Sequence, residues 1–195
     1  AQAYVTDPAF QADDHRGAVR MIAQQARPGD ALLINAGYAY PTFDYYYDGA
    51  VAWRGRLVDY VKREPTAEPG LIVLQTGSIG GDASLGWGSP TSDFYATTEA
   101  ETAAALDEVA RRHGRLWVLR IYDTVTDPQA FIRRYLDDRF LLLDDAGFGG
   151  TSSMRVQLYR THRSPVTTPP ALPNSVQANI GNRVRLIGYD ATPEF

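Results

Sequence analysis

The chain contains no cysteine. Disulfides, thiol catalysis and thiolate-bound metals are therefore excluded, while the compartment stays open, because a cysteine-free protein suits reducing and oxidising surroundings alike. Cationic charge is also short, with 19 Lys and Arg against 23 Asp and Glu. The basic residues are scattered, so no clustered face exists to neutralise a phosphate backbone, and no nucleic-acid partner is expected. No apolar run approaches the ~20 residues that a membrane-spanning helix needs. No secretory leader pattern is seen. An opening at Ala1 in place of Met suits a processed protein or an excised fragment. The three histidines, His15, His113 and His162, lie far apart and form no i, i+4 pair enclosing a glutamate, so neither a metal nor a cofactor is expected.

What is present is ordinary globular composition, 44% hydrophobic and 22% charged over 195 residues, enough for one core and a small appendage. Tyrosine is abundant, with twelve copies beside three Trp. The stretch 27–49, ARPGDALLINAGYAYPTFDYYYDG from its preceding alanine, organises the rest. A Pro28-Gly29-Asp30 turn leads into the apolar run Ala31–Ile34, which suits a strand buried on both faces. Leu71–Thr76 and Leu116–Ile121 read the same way, and Phe140–Leu143 as a fourth, short strand. Between them lie helical patterns: Asp13 or Asp14 to about Arg27, with Ala18, Val19, Ile22, Ala23 and Ala26 on one face; a short helix from Pro41 to Tyr47; and Thr98 to His113, opened by a Thr98/Glu101 capping box. In that last helix Ala103, Leu106, Val109 and Ala110 form the expected buried stripe. Asp127-Pro128 reads as a cap and first-turn proline for a helix carrying Phe131, Ile132, Tyr135 and Leu136. Met154–Tyr159 alternates, with Met154, Val156 and Leu158 inward and Arg155, Gln157 and Tyr159 outward, as a half-buried antiparallel edge strand would.

Strands alternating with helices predict a three-layer, Rossmann-like α/β domain: a mainly parallel sheet, helices on both faces and an antiparallel edge strand. The domain is expected over residues 1–162, a Pro-rich linker over 163–182, and a terminal strand over 183–195 that opens a further domain.

In such sheets ligands bind outside the carboxyl ends of the strands. Asn35, Thr76 and Asp123 fall just past three strand ends. Either they converge on one crevice or they cap neighbouring turns. Tyr45-Tyr46-Tyr47 with Asp44 and Asp48 forms either an aromatic platform or a short helix split between core and solvent. Gly77-Ser78-Ile79-Gly80-Gly81 follows a strand but lacks the Walker lysine and the dinucleotide spacing, and no nucleophile elbow is present. Gly147-Phe148-Gly149-Gly150 is equally incomplete and reads as a loop.

Four motifs taken together carry a resemblance. They are D-D-H-R-x-A-V (Asp13–Val19), R-P-G-D-A-L-L (Arg27–Leu33), F-D-Y-Y-Y-D-G (Phe43–Gly49), and R-L-W-V-L-R (Arg115–Arg120) followed by D-P-x-x-F-I (Asp127–Ile132). Over about residues 10–160 the chain resembles the soluble extracytoplasmic domain at the C-terminal end of bacterial multi-spanning glycosyltransferases, similar to the protein mannosyltransferase and aminoarabinose transferase class. The tail G-N-R-V-R-L-I-G-Y-D (Gly181–Asp190) resembles the first strand of a β-sandwich that follows such domains. The resemblance implies a non-catalytic module, extracytoplasmic and membrane-tethered through the remainder of a parent protein, with a glycan or polyprenyl-linked sugar as ligand. Catalytic acidic residues of that class sit in membrane-part loops with no counterpart here, so no catalytic residue carries over. The expected ligand surface is Asn35, Tyr38, Tyr45, Tyr46, Trp87 and Asp123. Two other classes of function stay open: a stand-alone hydrolase or nucleotide-sugar transferase using the same crevice, and a purely structural scaffold.

Overall fold

The computed structural model describes residues 12–64, 69–79 and 95–161, and the strands 174–180 and 184–189. The chain divides into two compact units, Ala1–His162 and Arg163–Phe195. In the second, β9 (Asn174–Ile180) and β10 (Val184–Tyr189) pair antiparallel. β9 thus occupies residues that the sequence reads as linker. Trp87, His162 and the opening segment lie outside the described residues.

The first unit is built on a six-stranded sheet. Its strands are β1 (Ala31–Asn35), β2 (Val51–Arg56), β3 (Leu71–Gln75), β6 (Arg115–Arg120), β7 (Leu141–Gly147) and β8 (Arg155–Arg160), in the order β2-β3-β1-β6-β8-β7. The first four run parallel, and β8 is antiparallel to both its neighbours. A smaller parallel pair, β4 (Ser78–Ile79) with β5 (Ala96–Thr97), flanks the segment 80–94. The fold is therefore the expected Rossmann-like α/β architecture.

Every residue of β1 is buried, because helices cover the sheet on both sides. Leu32 and Ile34 face α1 (His15–Gln25) and Phe43 of α2 (Tyr40–Tyr46), together with Val73, Trp117, Leu119, Val156 and Leu158. Ala31 and Leu33 face the opposite layer, where Leu57 and Tyr60 of α3 (Leu57–Tyr60), Leu106 and Val109 of α4 (Glu99–Arg112), and Ile132 and Leu136 of α6 (Phe131–Arg139) pack on Leu74, Val118 and Tyr159. Alternation along one strand thus feeds two cores. Each fully buried Leu or Ile contributes about 1.5–3 kcal/mol over leaving it exposed.

The α4 capping box forms as expected. Thr98 Oγ1 accepts from the Glu101 N–H at 3.1 Å, and the Glu101 carboxylate accepts from the Thr98 N–H at 2.9 Å. Its buried stripe is rotated from the expected one: Thr102 and Ala105 join Leu106, Val109 and Ala110, and Ala103 turns towards α6. α6 begins three residues after Pro128. Ala130 takes a left-handed φ of 51°, and the Asp127 carboxylate reaches over the turn to accept from the N–H groups of Phe131 (2.7 Å) and Ile132 (2.9 Å). Asp127 is still the cap, but from a greater distance than its spacing suggests. The alternating segment 154–159 is not outermost. β7 takes the edge and β8 lies inside the sheet, with Val156 and Leu158 in one core and Tyr159 in the other, and the expected outward residues Gln157 and Tyr159 are buried. Tyr159 donates its hydroxyl proton to Asp137 at 2.8 Å.

Candidate functional site

The connection leaving β1 passes through α2 on one face, and the connection leaving β6 passes through α5 (Asp123–Thr126) and α6 towards the other. β1 and β6 are neighbours in register from Ala31↔Leu116 to Asn35↔Arg120. Adjacent parallel strands whose connections diverge leave a crevice at their carboxyl ends. The residues beyond Asn35 and Arg120 are therefore the candidate site.

The β1 side is tightly constrained. Ala36 adopts a φ of 90°, rare for a residue with a Cβ. Its N–H donates to Thr76 Oγ1 at 3.1 Å, and that hydroxyl donates back to the Ile34 carbonyl at 3.2 Å. The next residue must be glycine, since a Cβ on Gly37 would lie 2.6 Å from the Thr76 carbonyl oxygen. Asn35 is buried, its amide oxygen 3.4 Å from the Thr76 hydroxyl. Asn35 and Thr76 together tie the ends of β1 and β3 and present Tyr38 on the short 3-10 turn Gly37–Ala39.

The β6 side mirrors this strain. Tyr122, two residues past the end of β6, has a φ of 52°. Its ring stacks on Tyr38 with centroids 6.4 Å apart and planes 16° from parallel, within the range of favourable aromatic pairs. Its hydroxyl donates to Asp13 Oδ2 at 3.2 Å, and Asp13 Oδ1 accepts from the Ser152 N–H at 2.9 Å. Gly150, at φ 132°, allows this approach: a Cβ there would fall 2.1 Å from Asp13 Oδ1. Asp14, next in sequence, caps α1 by accepting from the Gly17 N–H at 2.8 Å. Asp123 accepts twice from the Arg120 guanidinium, at 2.9 and 2.6 Å. Burial raises the Tyr38 hydroxyl pKa, with Tyr122 adding to it. Burial and the hydrogen bond to Asp13 raise that of Tyr122. Burial would raise the Asp13 carboxyl too, but the Ser152 bonds, Tyr122 and His15 outweigh it and hold it below its ordinary value. At neutral pH the rim therefore presents two neutral phenols, an ionised carboxylate and an arginine–aspartate pair.

The structure brings Asn35, Tyr38 and Asp123 to this one edge. Tyr45 and Tyr46 lie further along α2. Tyr45 is 80% exposed, and Tyr46 packs edge-on against it at 4.9 Å beneath the Arg16 guanidinium. Sequence reasoning missed Tyr122 and the role of Asp13. Tyr122 stands immediately after the L-W-V-L-R-I strand, a position that marks it. The Asp13 contact depends on the glycine loop at 147–150, which has no motif of its own. Among the described residues no group of three or more His, Asp or Glu side chains is arranged to hold a metal ion. Two cavities lie elsewhere: an open groove of about 470 Å³ between α4 and α6, and a pocket of about 60 Å³ beside His113 at the opposite end of the sheet. Comparison with protein-family models, with curated proteins and with solved structures finds no match to this chain.

Proposed function

We propose that the chain is a non-catalytic, extracytoplasmic module of a membrane glycosyltransferase-like protein, which holds a glycan or polyprenyl-linked sugar at the Tyr38–Tyr122 rim. The observation that carries this reading is the stacked tyrosine pair at the β1/β6 crevice, supported by two residues in left-handed backbone, Ala36 and Tyr122. Backbone strain of order 1–3 kcal/mol per residue persists only where the surroundings enforce it, and it gathers at ligand sites. A phenol ring gives an apolar face for the C–H side of a pyranose and a polar tip for its hydroxyls. Asp13, ionised and anchored by Ser152, accepts from a sugar hydroxyl, and the Arg120–Asp123 pair supplies a donor and an acceptor beside it.

The test is a titration of the chain with glycans and with polyprenyl-phosphate sugars, followed by intrinsic Trp and Tyr fluorescence. A saturable change is expected. Tyr38→Ala and Tyr122→Gly should each weaken binding by about tenfold, the loss of roughly 1.4 kcal/mol of ring contact. No response to either ligand class, or wild-type affinity in both variants, would count against the reading.

A further inference from the structure

The hydrogen bonds of the Tyr122–Asp13 pair leave it rich in lone pairs and short of protons. Tyr122 gives its hydroxyl proton to Asp13 Oδ2 at 3.2 Å, so the phenol oxygen can only accept from a ligand. Asp13 Oδ1 takes the Ser152 N–H at 2.9 Å. A carboxylate has about four lone-pair sites, so further acceptor positions remain on Asp13, which is half-buried beside a ring that is 40% exposed. The arginines at this end of the sheet are committed to other carboxylates. Arg120 gives Nε and Nη2 to Asp123, and Arg155, opposite Arg120 in the register, is bound by Asp145 at 2.8 Å. The positive end of α1 is met by Asp14. Asp13 is held instead by a neutral N–H and a neutral O–H, which leave its charge in place, and His15 acts on it as a base nearby.

Resting on the reading that this rim holds a sugar, we propose that Asp13 sets its specificity: the rim takes an uncharged pyranose and rejects one that carries a phosphate or a carboxylate. A sugar hydroxyl is both donor and acceptor, so it can give its proton to a free lone pair of Asp13. A phosphate or uronate oxygen is an acceptor only. It sets lone pairs against lone pairs and negative charge against negative charge, with both nearby arginines already engaged. One carboxylate thus favours the right ligand and repels the wrong one, and the difference between the two is the specificity. A phosphate that links the sugar to a lipid lies outside the rim.

The test titrates methyl glucoside, galactoside and mannoside against their 6-phosphates and uronates, with Trp and Tyr fluorescence as the readout, at about pH 8, which holds imidazole neutral. The neutral sugar that binds best should bind about tenfold tighter than its charged counterparts. Asp13→Asn keeps the shape of the side chain, an oxygen for the Ser152 N–H and an N–H for the Tyr122 hydroxyl, and loses the charge. It should bring the two classes within about threefold of each other. Asp138→Asn, exposed near the far end of α6, removes the same charge away from the rim and should leave the ratio unchanged. The proposal is overturned, with the sugar reading left standing, by equal wild-type affinity for neutral and charged sugars, by binding confined to charged ones, by a ratio that survives Asp13→Asn, or by one that shifts as far with Asp138→Asn. A chain that answers to no sugar overturns both.

Discussion

At the amino ends of the parallel strands, side chains are locked to one another. Asp30, buried at the start of β1, accepts from the Trp117 indole at 2.9 Å and the Arg27 N–H at 3.0 Å, with Arg115 at 3.5 Å. His113 bonds the Gly29 carbonyl through Nδ1 at 2.8 Å and the Tyr60 hydroxyl through Nε2 at 2.7 Å. Arg112 donates to the carbonyls of Val61 and Arg63, closing the end of α3. At the carboxyl ends, Asn35 and Thr76 are also buried, but Tyr122 and Asp13 lie nearer solvent: Tyr122 is 40% exposed, and Asp13 holds one loop and one phenol. Backbone strain also separates the two ends. Ala36 and Tyr122 adopt left-handed backbone at the carboxyl rim, whereas Asp30, His113, Arg115 and Trp117 at the amino end do not. One end buries its polar groups against one another, and the other leaves Tyr122 and Asp13 nearer solvent.

The contrast is tested most severely at Asp30. Replacement by alanine leaves the Trp117 N–H and the Arg115 guanidinium facing a buried gap, so Asp30→Ala should lower unfolding free energy by about 3 kcal/mol. The urea midpoint measures this. Asp13→Ala, at the other end, should cost about 1 kcal/mol or less, because the groups it frees can turn to water. Equal losses from the two substitutions would erase the distinction between the ends.

His113 offers a second discrimination, through pH. Burial lowers its pKa from the ordinary 6.5, and Arg112 adds to this, while the Gly29 carbonyl and Asp30 oppose it. With Nδ1–H given to Gly29, Nε2 must accept from Tyr60, an arrangement that only the neutral ring supports. The unfolded chain therefore binds the proton more readily than the folded one. Stability is complete above about pH 6.5 and declines as pH falls towards the lowered folded value. His113→Gln should remove that part of the acid limb from a series of denaturation curves. A wild-type limb unchanged by the substitution would show that the amino end does not titrate as its geometry requires.

How much of this was readable beforehand follows from physics local to each segment. The apolar runs Ala31–Ile34 and Leu71–Leu74 announce strands covered on both faces, and Thr98 with Glu101 announces a helix start, because the causes lie within a few residues. The rim residues Asn35 and Asp123 were legible as strand-end positions. Their meeting was conditional on parallel pairing, which the structure supplies. Long-range choices were not legible. β7 and not β8 takes the edge because a hairpin folds back between β6 and β7, a topological fact that leaves only faint traces in alternation. The Asp13–Tyr122 bond joins residues 109 positions apart through a glycine loop. The distant placement of Tyr45 reflects the path of α2, which no periodicity in seven residues reveals.

The smallest effect is also the sharpest test of the rim. Tyr122 carries two opposing contributions: a left-handed φ that costs a non-glycine residue about 1 kcal/mol, and a ring whose stacking on Tyr38 returns about as much. Tyr122→Ala removes the ring and keeps the strain, whereas Tyr122→Gly removes both. The glycine variant should therefore unfold within about 0.5 kcal/mol of wild type and stand about 1 kcal/mol above the alanine variant. Both should lose the fluorescence response to sugar ligands to the same degree, since both lack the ring. Stability and binding then separate at a single position. A glycine variant as unstable as alanine would mean that the strain at Tyr122 is relieved by neighbours, and the backbone argument for a site there would fall even if the ring itself touched a ligand.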